Sequence, residues 1–250
     1  MADSTPRRVL VAFIGAGLIG KEVLHLFSTA LSQATFTVIS ISNSAHTVTQ
    51  VPGATPLSAD ELLALLPGSS SPAPTSHPLV SYSPANSHAL LNDLITLRES
   101  TALPILLIDC TASLPLCTLY PAFLTSGISI VTPNKKAFSS SQALWEQIEQ
   151  ARRGDRAGWL YHEGTVGAGL PVVQTLRDLV LTGDEVNKVE GITSGTLSAV
   201  FNVFSRPGGR GVGFVAFSEA VRMARDAGLT ASLRSLLELN INRSEERRVG

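Results

Sequence analysis

Three glycines near the start of the chain have the spacing of a backbone turn that holds a phosphate. Gly15, Gly17 and Gly20 belong to the run GAGLIG, which directly follows the apolar segment Val9–Ile14 and precedes a helical pattern. The first glycine permits a tight strand-to-helix turn, the second admits a pyrophosphate, and the third lets the helix pack closely on the strand. The N–H groups of the helix start then bind the anion. This order of elements favours a dinucleotide-binding turn over a merely tight one.

Two adjacent lysines could act near the reacting end of such a cofactor. Lys135 and Lys136 follow Pro133 at the end of an apolar run over residues 128–132. At the carboxyl end of a sheet strand, an ammonium group can donate a proton or balance charge as hydride arrives. Paired lysines are also common as solvated surface residues. The residues alone leave both interpretations open.

A glycine-rich segment, YHEGTVGAGLP at residues 161–171, carries a single carboxylate, Glu163. Its small residues would allow several backbone carbonyls to turn toward a hard cation beside that carboxylate. The alternative is an ordinary loop in which backbone N–H groups satisfy Glu163, and the residues alone favour it. The neighbouring His162 has the pattern of a structural rather than a catalytic histidine.

A second small-residue segment, Ser194, Gly195 and Thr196, separates a predicted strand from a predicted helix. Its N–H groups could bind a carboxylate substrate at the start of that helix. A plain helix cap by Ser194 explains the same pattern equally well.

Composition limits the classes of partner and compartment. The 250-residue chain is 44% apolar, enough for one or two domains, and its net charge of -1 predicts no nucleic-acid or anionic membrane partner. We therefore expect a small-molecule substrate. No apolar run approaches the ~20 residues of a membrane span, and the first six residues lack the core of a secretory signal, so a cytoplasmic location is expected. Two cysteines, Cys110 and Cys117, are too few for a disulfide scaffold or metal site.

Strand-like and helix-like segments alternate along most of the chain, which predicts an α/β fold with a Rossmann-type, doubly wound parallel sheet. The segment over residues 67–84, rich in proline and serine, is predicted to be a mobile surface loop. We predict strands at residues 9–14, 36–41, 105–109, 128–132, 159–162 and 189–192. We predict helices at residues 18–31, 59–66 with Ser58 as cap, 87–98, 141–152, 170–181, 197–204 and 218–227.

The ends of the predicted strands bear on the choice of dinucleotide, because ligands of such sheets bind at the carboxyl ends of the strands. The second strand is followed by Asn43 and Ser44, where an NAD enzyme usually has an acidic residue and an NADP enzyme an arginine. Amide and hydroxyl groups can bind a ribose hydroxyl without repelling a phosphate. The sequence thus permits either NAD or NADP.

Six segments occur along the chain in a fixed order: GAGLIG at 15–20, DCTAS at 109–113, TPNKKAFSS at 132–140, YHEGTVGAGLP at 161–171, TGDEVNKVEGITSGTLS at 182–198 and FNVFS at 201–205. In this combination they resemble the homoserine dehydrogenase family, closest to its fungal monofunctional form, over about residues 8–230. The resemblance implies NAD(P)-dependent interconversion of L-aspartate 4-semialdehyde and L-homoserine, on the route to threonine, methionine and isoleucine. It also implies a homodimer.

The resemblance implies roles for particular residues. NADP or NAD would contact the glycine turn and two later residues: Gly15, Ala16, Gly17, Leu18, Ile19, Gly20, Thr111 and Lys135. Lys135 would also lie close to the reacting centre, which makes it the catalytic candidate. A sodium ion would be held by the carboxylate of Glu163 and the backbone carbonyls of Val166, Ala168 and Leu170. Gly195 and Thr196 would lie beside the substrate pocket.

The resemblance stops after Thr230. The family continues with Glu-Pro-Asp-Pro, then acidic residues and a lysine that bind homoserine and relay its proton, whereas residues 231–239 read ASLRSLLEL. A frameshift or premature end would explain the change. We expect an NAD(P)-binding domain at 1–157, the incomplete start of an α+β substrate and dimerisation domain at 158–230, and a partly disordered tail at 231–250.

Without those groups, we expect severely impaired turnover by this chain and a homodimer that lacks part of its interface. Two other functions are considered. One is a non-catalytic dinucleotide-binding protein that regulates or partners the full-length enzyme. The other is an aldehyde dehydrogenase with Cys110 as nucleophile, which has no evident base or cationic neighbour in the sequence.

Overall fold

The structure is a computed structural model and describes residues 8–29, 35–68, 76–167, 170–191, 194–204 and 215–227. The chain divides into two compact units, Met1–Thr165 and Val166–Gly250. The predicted tail at 231–250 lies outside the described residues. Within the described ranges, no helix is long and apolar enough to cross a membrane.

A seven-stranded sheet forms the centre of the first unit. Its strands are β1 (Val9–Ile14), β2 (Phe36–Ser42), β3 (His46–Gln50), β4 (Val80–Pro84), β5 (Ile105–Asp109), β6 (Ser129–Val131) and β7 (Leu160–Tyr161). Their spatial order is β4-β3-β2-β1-β5-β6-β7. The neighbours in the spatial series β2-β1-β5-β6-β7 pair in parallel. Strand β3 pairs antiparallel with both β2 and β4. The α/β prediction with a parallel Rossmann-type core is therefore confirmed, with an antiparallel extension at one edge.

Helices cover both faces of this sheet. They are α1 (Leu18–Thr29), α2 (Ala59–Leu65), α3 (Ser87–Thr101), α4 (Leu114–Cys117), α5 (Tyr120–Thr125), α6 (Lys136–Ser139) and α7 (Gln142–Ala151), followed by a 3-10 turn at Glu163–Thr165. In β1, Val11 and Phe13 face the helices α1 and α2, whereas Leu10, Ala12 and Ile14 belong to a separate core with α3, α5 and α7. This alternation along a strand builds two apolar layers, one on each face of the sheet.

The antiparallel pair β3 and β4 at the sheet edge differs from the prediction, because residues 80–84 form β4 instead of a loop and β3 was not predicted. The many prolines and serines of this segment hid the weak apolar signal of Val48 and Val80, which are the buried apolar residues of this pair. An edge strand tolerates Pro84 at its last position, since no further strand needs its missing N–H. Residues 69–75 of the predicted loop lie outside the described residues.

The second unit contributes three helices to the described residues: α8 (Val172–Leu181), α9 (Gly195–Phe204) and α10 (Phe217–Asp226). The last two pack through a small apolar cluster, which consists of Val200, Ala220, Val221 and Ala224. The strand predicted near 189–192 is absent at residues 189–191, and Ile192 lies outside the described residues. The boundary between the units falls after Thr165, later than the predicted boundary at 157, because β7 pairs with β6.

Candidate functional site

The glycine turn after β1 is held against the ends of two neighbouring strands. Gly15 has a φ of +101°, and its N–H donates to the Ser42 carbonyl at the end of β2 over 2.8 Å. A Cβ built on Gly15 would lie 2.8 Å from the Cys110 carbonyl carbon and 2.9 Å from Thr111 Cγ2. Side chains are excluded here both by backbone conformation and by space. Gly15 therefore fixes the turn against the β5 end.

The other two glycines have opposite surroundings. A Cβ on Gly20 would lie 1.9 Å from the Gly15 carbonyl oxygen, so the third glycine brings α1 close to the turn. A Cβ on Gly17 would meet nothing within 4 Å. Beside this open space, Leu18 and Ile19 are 84% and 60% exposed. Close packing at Gly20 and free backbone at Gly17 are what a pyrophosphate-binding turn requires.

The turn also lies where the strand order reverses. The chain leaves β1 toward β2 on one side, while β5 pairs with β1 on the other side. In open α/β sheets this position creates a crevice outside the carboxyl ends of the strands, and ligands bind there. Gly15 directly follows the carboxyl end of β1, and Thr111 lies just after the carboxyl end of β5. The prediction thus has the expected topological setting, although the individual cofactor contacts stay predictions.

A buried polar network joins the ends of β5 and β6. The fully buried carboxylate of Asp109 accepts from the Tyr120 hydroxyl over 2.5 Å and from Asn134 Nδ2 over 3.1 Å. Its other oxygen accepts from the Thr111 N–H over 2.7 Å. The Thr132 hydroxyl donates to the Asp109 carbonyl over 2.9 Å. Burial, then the Asp109 charge, raise the pKa of Tyr120 far above its usual range, so the phenol keeps the proton that it donates.

This network was not predicted from the sequence, where Tyr120 has no role. A charged residue at the end of a buried strand was the available signal, because a buried carboxylate requires hydrogen-bond donors.

The two lysines of the candidate site are both exposed and directly follow the buried Asn134. The Asn134 side-chain oxygen accepts from the Lys136 N–H over 3.2 Å, which fixes the backbone where α6 begins. Lys135 is the cap residue of that helix. The structure thus anchors the backbone on both sides of Lys135 at the β6 end, and its catalytic and cofactor roles stay predictions.

The turn after β7 contacts the β6 end. A Cβ on Gly164 would lie 3.3 Å from Pro133 Cβ. The His162 ring stacks on Phe138 with 4.4 Å between ring centroids, and its carbonyl accepts from the Thr165 hydroxyl over 2.7 Å. These contacts agree with the structural interpretation of His162.

The predicted sodium ligands fall on both sides of the boundary between the units. Glu163 belongs to the first unit, Val166 and Leu170 belong to the second, and Ala168 lies outside the described residues. In the described part of the chain, no three His, Cys, Asp or Glu side chains come together as a metal-binding group. A sodium site built mainly from carbonyls would not form such a group. The sodium site stays a prediction.

The predicted substrate residues begin a helix of the second unit. Gly195 is the first residue of α9, and Thr196 follows it. The Ser194 hydroxyl accepts from the Leu197 N–H over 3.2 Å. The helix cap considered from the sequence is therefore present, and the substrate role of Gly195 and Thr196 stays a prediction.

The cysteine next to the glycine turn is a poor nucleophile. Burial, followed by the charge of Asp109, raises the pKa of Cys110 to about 12. Burial likewise raises the pKa of Cys117 to about 11. Because the thiolate is the attacking form, protonated thiols at neutral pH argue against an aldehyde dehydrogenase that uses Cys110.

The side chains at the end of β2 stabilise their own loop. The Ser42 hydroxyl is 2.8 Å from the Thr47 hydroxyl. Asn43 accepts from the N–H groups of Ala45 and His46, and its amide donates to the Pro67 carbonyl over 2.7 Å. Of the polar residues that the sequence offered for a ribose, Ser44 remains exposed.

The parallel sheet, the glycine turn and the crevice at the strand reversal define a Rossmann-type nucleotide-binding protein. The sequence matches the family model described as "Homoserine dehydrogenase, NAD binding domain" over residues 15–162. It matches the model described as "Homoserine dehydrogenase" over residues 171–233. The chain belongs to the homoserine dehydrogenase family.

Individual relatives agree with this family. Homoserine dehydrogenase of Saccharomyces cerevisiae is 36% identical over 222 residues, which cover 89% of this chain and 56% of the relative. The Schizosaccharomyces pombe enzyme is 45% identical over 140 residues, covering 56% of this chain and 36% of the relative. The chain thus spans about half or less of the length of these curated relatives.

Solved structures show the same fold. A Candida auris protein of unknown function is 35% identical with a TM-score of 0.70, and the match covers 89% of this chain and 56% of that one. A hyperthermophilic archaeal homoserine dehydrogenase in complex with NADPH is 19% identical with a TM-score of 0.62, covering 89% and 62%. At that identity the archaeal likeness supports the fold alone.

Proposed function

We propose that the chain is the cofactor-binding part, with the start of the substrate domain, of an enzyme that reduces L-aspartate 4-semialdehyde to L-homoserine with NADPH or NADH. The observation that carries this proposal is the glycine turn: Gly17 borders open space, while Gly15 and Gly20 are closely packed. Membership of the homoserine dehydrogenase family supplies the substrate and the reaction. The residues present fit a dinucleotide, because backbone N–H groups at the start of α1 adjoin that open space.

Within this proposal the bound dinucleotide supplies a hydride to the aldehyde carbon. The turn over residues 15–20 binds the pyrophosphate, and the exposed side chains of Leu18 and Ile19 cover the cofactor. Thr111 and Lys135, at the ends of β5 and β6, contact the nicotinamide half. There the Lys135 ammonium balances the negative charge that develops on the substrate oxygen.

The loop after β2 does not select between NADP and NAD. Residues 42–46 contain no carboxylate, so nothing in this loop repels the 2'-phosphate of NADP. The same loop contains no arginine or lysine that would select for that phosphate. We propose that the chain accepts both NADPH and NADH.

Residues 231–250 match none of the acidic substrate ligands or the principal catalytic lysine that the resemblance implies. The sodium ion at Glu163, Val166, Ala168 and Leu170, the substrate contacts of Gly195 and Thr196, a homodimer and a cytoplasmic location are further proposals that rest on the resemblance and composition.

A fluorescence titration with NADPH tests the proposed cofactor site. In the variant Gly17→Ala, the added Cβ meets no protein atom within 4 Å, so folding is retained while the methyl group occupies the pyrophosphate position. We expect affinity to fall at least tenfold. The control is Gly154→Ala, whose Cβ would meet only Ala157 Cβ at 3.9 Å in a distant turn. The proposal is wrong if the unaltered chain binds neither NADPH nor NADH, or if both variants bind equally well.

A further inference from the structure

The buried network around Asp109 connects helix α5 with two turns that the proposed site uses, the turn after β5 and the turn after β6. Its carboxylate is fully buried and accepts three hydrogen bonds, from the Thr111 N–H, the Tyr120 hydroxyl and Asn134 Nδ2. These donors come from the turn after β5, from α5 and from the turn after β6. A buried carboxylate with this many donors stabilises one arrangement of the loops around it.

One branch of the network leads to the glycine turn. Asp109 Oδ1 fixes the Thr111 N–H, and the Thr111 hydroxyl accepts from the Ser113 N–H over 3.1 Å. The Thr111 methyl group lies 2.9 Å from the position of a Cβ on Gly15. A shift of the Thr111 turn would therefore move atoms that pack directly against the start of the cofactor turn.

The other branch leads to the lysine turn. Thr132 donates to the Asp109 carbonyl and accepts from the Asn134 N–H over 2.9 Å. The Asn134 amide donates to Asp109 Oδ2 and to the Ser113 carbonyl, while its oxygen accepts from the Lys136 N–H. The backbone that carries Lys135 is thereby anchored on both sides.

We propose that Asp109, Tyr120, Thr132 and Asn134 are positioning residues that hold the Thr111 turn and the Lys135 turn in the arrangement that binds the dinucleotide. None of the four needs to contact the cofactor, because all four are buried and act through the two turns. The inference rests on the proposed function, since that proposal places Thr111 and Lys135 at the cofactor.

The chemistry of each group explains why substitutes of similar shape fail. Both carboxylate oxygens of Asp109 accept hydrogen bonds from donors. An amide in place of this carboxylate would point its NH₂ group at one of those donors. Tyr120→Phe leaves one carboxylate oxygen short of a donor. Thr132→Val removes the hydroxyl that donates to the Asp109 carbonyl and accepts from the Asn134 N–H and the Tyr120 hydroxyl. Each change leaves a buried polar group without its partner.

The test uses Tyr120→Phe and Thr132→Val in the full chain, with Phe123→Leu as the matched control. Phe123 is fully buried in the same helix as Tyr120 and forms no hydrogen bond with its side chain, so its substitution weakens packing alone. Amide hydrogen exchange by NMR is measured at Thr111, Asn134 and Lys136, and NADPH affinity is measured by fluorescence. The melting temperatures of the three variants are also measured, so that exchange rates are compared between variants of similar stability.

We expect exchange at the three amides to quicken at least tenfold in Tyr120→Phe and Thr132→Val, and NADPH affinity to fall about tenfold. In Phe123→Leu, both should stay within about twofold. Equal behaviour of all three variants would show that the network only packs the core, and would overturn the inference. If the unaltered chain binds no NADPH, the proposed function fails, whereas the exchange rates still decide whether the network couples the two turns.

Discussion

The two compact units of the chain differ in how their helices are buried. In the first unit, α1, α3, α5 and α7 each place apolar side chains against a face of the sheet, and several of these side chains are fully buried. In the second unit, α8 has no buried side chain, and α9 and α10 share a cluster of four buried residues. Val180 and Leu181 of α8 are 60% and 72% exposed.

The difference indicates that the first unit supplies its own core, while apolar faces of the second unit have no cover among the described residues. Hydrophobic stabilisation follows the apolar area removed from water, so the two units differ in their sources of stability. The proposed cofactor turn, Thr111 and Lys135 all lie in the first unit. Cofactor binding is therefore expected to depend on the unit with the larger core.

Shortening one buried side chain in each unit should give the largest difference in the free energy of unfolding. Leu24 of α1 is fully buried, and Leu24→Ala should lower the free energy of unfolding by about 2–5 kcal/mol. Both tryptophans, Trp145 and Trp159, belong to the first unit, so their fluorescence during urea unfolding reports on that unit. Val200→Ala in α9 should leave this transition unchanged. If Val200→Ala shifts the unfolding transition as much as Leu24→Ala does, the two units unfold together and do not have separate sources of stability.

Added methyl groups at two helical glycines should give a smaller contrast. Gly20→Ala places a Cβ 1.9 Å from the Gly15 carbonyl oxygen, and overpacking of this kind costs about 1–3 kcal/mol. Gly195→Ala at the start of α9 meets nothing within 4 Å and should leave stability unchanged. Circular-dichroism melting of both variants measures the difference. Comparable melting temperatures would mean that the close approach at Gly20 is relaxed without cost.

Helix capping should give the smallest effect. In α2, Ser58 and Glu61 form a reciprocal capping box, whereas Pro171, the N-cap residue of α8, makes no side-chain cap. Hydrogen bonds from the Ser58 N–H and hydroxyl to the carboxylate hold the pKa of Glu61 below its ordinary value of 4.5. Its contribution to stability is therefore complete above pH 4.5 and is lost as the pH falls through the lower folded-state pKa.

Urea unfolding of Glu61→Gln at several pH values measures this contribution. The variant should be slightly less stable at pH 7, and the difference from the unaltered chain should vanish in acid. A difference that persists below the folded-state pKa would show that the charge of Glu61 is not its source.

The sequence predicted the parallel core well because its signals are local. The bounds of β1 and β5 match the predicted strands, since buried strands of a parallel sheet are short, continuous apolar runs between turn residues. The helices α4, α5 and α6 were missed because four to six residues are too short to show helical periodicity. Strands β3 and β4 contain few apolar residues, Val48 in β3 and Val80 and Tyr82 in β4, so their signal is too short to separate from the surrounding polar loop.

The geometry of the glycine turn was predictable because a single turn contains the whole signal. Gly15, Gly17 and Gly20 lie within six residues, and each has the surroundings that its predicted role requires. The network around Asp109 was not predictable in the same way, because Tyr120 and Asn134 approach it only after β5, α5 and β6 have packed. Spacing in the sequence does not show which distant donor satisfies a buried carboxylate.

The first unit is proposed to bind the dinucleotide through the turns at the ends of β1, β5 and β6. Hydrogen exchange of the full chain, measured with and without NADPH, shows which residues the cofactor protects. We expect slower exchange at residues 15–20, 109–113 and 132–136, and unchanged exchange in α8, α9 and α10. Protection confined to α8, α9 and α10, or no protection in the presence of saturating NADPH, would show that the three turns do not bind the cofactor.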